Sequence, residues 1–315
     1  MKISISLKKI IKILALLLLL GISITASKKR SKTKRESVEG NNKSIQDKVN
    51  SQINEFRNLI AKGDYEFVGT SKHITQLKKL PNLTLNGQMS RKVEAVDEYN
   101  LKLNPTLGEK SYLIKDNNQE NQAKKSFTIV RLPPALNMKR VYSDASLQGQ
   151  ALEIAQTCGK ENNIAFTLSK EKKGFFTFMG TFENSYPHSD GEDWEIVLKY
   201  WFGTVKDLNL KYIDAYNHNN NSISAVTQLM YSDLNKVGCA KFQCGVDKEG
   251  AYKVYYSCVT SPLGPHANQP IYKRPTNESM ILKTECQTIG NHAGFLFLCP
   301  RSSKKRNLKL KKIKK

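Results

Sequence analysis

Cys239, Cys244 and Cys258 crowd onto two β-prone apolar segments, around Lys236–Lys241 and Ala251–Thr260, and this crowding restricts the fold more than any other feature of the chain. Thiols on neighbouring strands can staple them together. A helix-like or loop segment, Ala225-Val226-Thr227-Gln228-Leu229-Met230-Tyr231, leads into the first strand. Ser261-Pro262-Leu263-Gly264 marks a closing turn before Asn268-Gln269-Pro270-Ile271-Tyr272-Lys273. The total of six cysteines is even, which suits an oxidising compartment; three bridges then have fifteen possible pairings, and spacing does not choose among them. A zinc site at Cys239 and Cys244 is disfavoured, because no CxxC or nearby His pair completes a tetrahedral set.

The amino terminus agrees on destination. Lys2, Lys8, Lys9 and Lys12, the apolar run Ile10–Leu20 and the small residues Thr25-Ala26-Ser27 make residues 1–26 read as a secretory signal peptide. An uncleaved anchor is the alternative, but the run is short and lysine-broken for a bilayer span. No later run is long enough to span, so the mature chain is expected to be soluble, secreted and extracellular. Sequons at Asn42, Asn82, Asn220 and Asn277 offer sites for glycans on that route.

The formal net charge of +22 gathers at the ends, with six basic residues in Lys28–Arg35 and nine in Arg301–Lys315. Such runs bury no apolar surface and stay solvated. They offer either an electrostatic foothold on sulfated glycans, anionic lipid heads or acidic proteins, or simply solubility and dibasic cleavage. Nucleic acid is not expected, since no stacking or groove-reading motif accompanies the charge.

Along the chain, residues 27–91 read as a basic polar linker and partly ordered extension, within which Ile53, Phe56, Leu59 and Ile60 have helical spacing and Gly63 marks a stop. From Asp64 to Lys125 no strong period appears, and the segment reads as mostly loop. Leu147, Ala151, Leu152, Ile154 and Ala155 predict a helix capped by Ser143 or Asp144 and ending near Cys158. Phe175–Met179 is a short β-prone run. Trp194, Ile196, Val197, Tyr200, Trp201, Thr204 and Val205 form the apolar stripe of a further helix from about Asp193.

Several of these segments together resemble the CAP superfamily, the secreted domain of cysteine-rich secretory proteins, venom antigens and pathogenesis-related class-1 proteins. The carrying residues are Ala225–Tyr231, Val237-Gly238-Cys239, Tyr256-Ser257-Cys258, Gln269–Lys273, the helix after Tyr142, and Phe182-Glu183-Asn184-Ser185-Tyr186. Asn137-Met138-Lys139 and Gln156-Thr157-Cys158 are most similar to the nematode venom-allergen-like members. The resemblance implies an α+β fold, a three-layer α–β–α sandwich over residues 92–275, followed by an extension over 276–315. It also implies bridges Cys158–Cys244 and Cys239–Cys258, leaving Cys286 to pair with Cys299.

Many members hold a divalent cation with two histidines and two glutamates in a central cleft. Carried over by position, the first histidine falls on Ile53 or Tyr99, the first glutamate on Glu183, the second near Gly203 and the last histidine on Ala225. Ile53-Asn54-Glu55-Phe56-Arg57 fits the opening helix motif except for its histidine, yet spacing favours Asp97-Glu98-Tyr99-Asn100, where Leu103 replaces the arginine. A lone carboxylate does not hold zinc, so no metal or other cofactor is expected, and Glu183 and Asn184 read as a cleft remnant bonded to loop backbone. His188 and His218 lie in nearby loops without ligand spacing; His73, His266 and His292 read as solvated or turn residues. No nucleophile elbow, papain-like cysteine or phosphate-cradling loop is present, and Asp190, Glu192 and Asp193 read as a solvated turn. The expectation is a non-enzymatic binding protein. Family analogy suggests host-facing partners, or a sterol or fatty acid; a matrix or glycosaminoglycan adhesin using its basic tails is the alternative.

Overall fold

A computed structural model describes residues 43–80, 89–95, 125–160, 168, 170–182, 192–217, 224–275 and 295–300. Its elements run α1 (Lys43–Lys62), β1 (Glu66–Gly69), α2 (Ser71–Lys78), β2 (Ser90–Ala95), β3 (Lys125–Arg131), β4 (Tyr142–Ser143), α3 (Ala145–Gln156), β5 (Gly174–Phe182), α4 (Glu192–Gly203), α5 (Ser224–Met230), β6 (Lys236–Val246) and β7 (Tyr252–Ser261). Two short 3-10 turns, Thr204–Asp207 and Leu210–Ile213, follow α4.

Four strands form the central sheet in the order β4-β6-β7-β5. β6 and β7 are antiparallel, with Cys239 opposite Cys258, and a bulge between Gln243 and Gly245 bends the far end of β6. α3 covers one face through Leu147, Ala151 and Ile154 against Ala240 and Val259. Asp144 caps this helix, accepting from the Ser146 and Leu147 amides. The other face packs against α1, α4 and α5, where Trp201 meets Phe176 edge-on at 4.7 Å and Trp194 meets Tyr256 at 5.1 Å. Burial on both faces of the sheet yields the expected three-layer α–β–α sandwich.

Cys158–Cys244 ties the end of α3 to the bulged end of β6, and Cys239–Cys258 ties β6 to β7. Cys299 is also disulfide-bonded; Cys286, its expected partner, lies outside the described residues.

Within 27–91, read as linker and partly ordered extension, α1 is a 20-residue helix followed by Gly63, whose φ of +80° suits glycine, and it buries Ile45, Val49, Ile53, Phe56 and Ile60 in the main core. The described residues of the segment after it add further order. β1 and β2 both pair with β3, making a second, three-stranded antiparallel sheet from residues 66–69, 90–95 and 125–131.

Candidate functional site

α1 meets α4 and α5 on the inner face of the central sheet, and Phe56 stacks on Phe202 at 4.1 Å, which brings α1 beside the end of α4. Three positions onto which the resemblance carries cation ligands lie here. Ile53, on α1, is fully buried; Ala225, in the first turn of α5, is buried and ends in a methyl group; Gly203 closes α4, and a Cβ built there would face open space. None carries a nitrogen or oxygen donor on its side chain. Among the described residues, no group of three or more His, Cys, Asp or Glu side chains converges as a metal site. Glu183, Asn184, Tyr99, His188 and His218 lie outside the described residues, as do Asn42, Asn82, Asn220 and Asn277.

α1 carries one candidate for the opening helix, Ile53–Arg57, while the rival around Tyr99 lies outside the described residues. Asn54 acts as a surrogate strand, donating from Nδ2 to the Val141 carbonyl and accepting the Val141 amide on Oδ1, both at 2.9 Å. Arg57 is fully buried and donates to five carbonyls, those of Lys139, Leu229, Tyr231, Ser232 and Leu234, over 2.5–3.3 Å. Burial pushes its guanidinium down to about 9, Asp233 opposing, so it remains charged at neutral pH among carbonyl dipoles. Gln46 adds a paired contact to the backbone of Cys239, donating at 2.5 Å and accepting at 3.4 Å. These polar groups tie α1 to the loop before β4, to β6 and to the segment after α5.

Sequence reasoning missed a second buried group. Asp193, read as part of a solvated turn, is fully buried at the start of α4, accepting from Lys241 Nζ and Tyr256 Oη, each at 2.7 Å. A carboxylate withdrawn from water requires such partners, and they come from β6 and β7. Beside it the Trp194 indole N–H is buried without a hydrogen-bond partner among the described residues. His73 is not a solvated residue either: it is buried in α2, its Nδ1 accepting from the Thr70 amide at 3.0 Å and its ring standing edge-on to Phe67 at 5.3 Å.

The layers, bridges and cleft frame together define a disulfide-stapled α–β–α sandwich. The chain belongs to the Cysteine-rich secretory protein family, CAP, whose sequence model matches residues 50–260, beginning within α1 and well ahead of the boundary at 92 that spacing suggested. Members are typically secreted and generally non-enzymatic. Relatives include Scoloptoxin SSD552 of Scolopendra dehaani, 25% identical over 142 residues, covering 45% of this chain and 63% of that protein. Ancylostoma secreted protein of Ancylostoma caninum is 23% identical over 51% of this chain and 34% of its own length, and human GLIPR1-like protein 1 is 27% identical over 49% and 61%. In none of the three does the match reach two thirds of the relative's length. Similar solved structures include NaASP2 with Zn2+, at 15% identity and TM-score 0.49, covering 82% of this chain and 95% of that one. BmVAL-1 has the same coverages, at 14% identity and TM-score 0.45.

No helix among the described residues is long and apolar enough to cross a membrane.

Proposed function

We propose that this chain is an exported, non-catalytic CAP-domain binding protein whose central cleft has exchanged cation ligands for apolar positions. The observation that carries the reading is the side-chain chemistry at Ile53, Gly203 and Ala225, which leaves a cleft frame held by Asn54 and Arg57 but three ligand positions without a donor atom. A cation needs several donors at once, and Glu183 alone supplies too few. The ligand class proposed for the apolar cleft is a sterol or fatty acid, with a host or extracellular protein as partner. Binding assays with labelled sterol and fatty acid test this: saturable retention above a matched secreted protein is expected, and its absence removes the lipid reading. Zinc titration tests the cleft independently. Stoichiometric zinc at micromolar free metal, lost in Glu183→Ala, would refute the loss of the cation site.

A second reading rests on the charge of +22 and the nine basic residues of Arg301–Lys315. In it the domain is a scaffold and its tails hold sulfated glycans. Heparin chromatography separates the two, because deleting Lys304–Lys315 then lowers the salt needed for elution; unchanged retention rejects the tails as the binding element.

A further inference from the structure

Four strands lie at sheet edges, and three of them are guarded against pairing with another chain. β4 has two residues, β1 has four and carries Glu66, and β2 carries Arg91, Lys92 and Glu94. Short length and charge are the usual protections of an exposed edge. β5 has neither. It runs nine residues, Gly-Phe-Phe-Thr-Phe-Met-Gly-Thr-Phe, without a charge or a proline, and pairs with β7 in continuous register from Gly174 to Phe182. No other strand among the described residues pairs with its outer edge.

Large apolar side chains flank that edge on both faces of the sheet. Phe175 and Met179, 39% and 47% exposed, point one way; on the other side Phe178 packs against Tyr200 of α4 at 4.9 Å, with Tyr200 and Ile196 56% and 37% exposed. We propose that β5 pairs antiparallel with β5 of a second copy of this chain, joining two four-stranded sheets into one continuous sheet across a two-fold axis. Charge selects this occupant. A chain this basic attracts acidic partners, but β5 offers such a partner no cation, whereas an uncharged strand of equal length is what each copy brings to the other. Antiparallel pairing of identical strands is self-complementary, and it buries Phe175, Met179 and Tyr200 near the axis.

The opposing force is repulsion between two strongly basic chains, which salt screens over about 8 Å at physiological strength. Self-pairing through β5 therefore strengthens with salt, whereas association through the basic ends weakens.

Sedimentation velocity on the full secreted chain, from roughly 5 to 200 µM at low and high salt, together with hydrogen exchange, tests the proposal. The expected result is a dimer that grows with concentration and with salt, accompanied by new protection of the amides of 175–181. Met179→Lys and Thr181→Lys each place a charge on an exposed strand position; either variant is expected to weaken association at least about tenfold with the melting temperature held. A chain that stays monomeric over the range overturns the proposal, even if the edge proves to take a foreign peptide. So does a dimer whose β5 exchange is unchanged, one that dissociates in high salt, or one that forms equally well in both folded lysine variants.

Discussion

Arg57 shows how one buried side chain can organise the loops around it. The residue four positions before it is Ile53, which offers no donor, yet the guanidinium still gathers the carbonyls of Lys139 and of four residues in 229–234. Removing it leaves those carbonyls buried without a donor, each with a desolvation cost of its own. Arg57→Ala should therefore destabilise the protein by about 3–5 kcal/mol in urea unfolding, with Arg57→Lys recovering less than half, because an ammonium cannot span five acceptors with a planar fork. A loss under about 1 kcal/mol for the alanine variant would mean that the loop carbonyls find other partners. Asp193 obeys the same rule with opposite charge. Asp193→Asn removes the buried carboxylate to which Lys241 Nζ and Tyr256 Oη both donate and should cost about 3 kcal/mol or more, while Asp193→Asn with Lys241→Met should recover part of the loss. Equal losses in the single and double variants would show that the pair is not coupled.

At the level of elements, local patterns carried most of the prediction. The apolar stripes of α3 and α4, the aromatic run of β5 and the cysteine-bearing strands are all periodic within a dozen residues, which is why they were legible. Asp193 was not, because its partners stand 48 and 63 residues further along the chain. The choice of opening helix was not legible for a different reason: the second sheet lies between α1 and β4 in the chain, so spacing alone does not select between Ile53–Arg57 and the segment around Tyr99. That inserted region contains a titratable lock. His73 joins the start of α2 at Thr70, and backbone groups of Lys206 and Leu208 hydrogen-bond its ring from the turn after α4. Burial lowers the ring below its ordinary 6.5; Lys72 adds to this, and Asp207 opposes it. The neutral form is then the one the fold selects, so its contribution is complete above about pH 6.5 and is lost as pH falls through the lower folded-state value. Hydrogen exchange should report faster opening of 71–78 as pH falls below about 6.5, after correction for intrinsic rates, while the central sheet stays protected. His73→Gln should remove that pH dependence. If 71–78 opens identically in both proteins, another group controls the element.

Across the whole molecule, the two bridges within the sandwich do different work because they sit in different places. Cys239–Cys258 is fully buried between neighbouring strands and spans 19 residues, whereas Cys158–Cys244 is half-buried at a helix end and a bulge and spans 86. In the chain-entropy account the longer loop stabilises by about 4.6 kcal/mol and the shorter by about 3.2, so the bridge that contributes more is also the one a thiolate can reach. α3 depends on it, since its own apolar contact with the sheet is the small cluster of Leu147, Ala151 and Ile154 against Ala240 and Val259, which Leu168 joins from outside the helix. Limited reduction under native conditions, followed by alkylation and mass spectrometry, should therefore label Cys158 and Cys244 while Cys239 and Cys258 stay paired. The intermediate should keep its central sheet and lose protection in α3. Simultaneous labelling of all four would mean that the sandwich opens only as a unit, and that α3 is secured by packing rather than by its covalent tie.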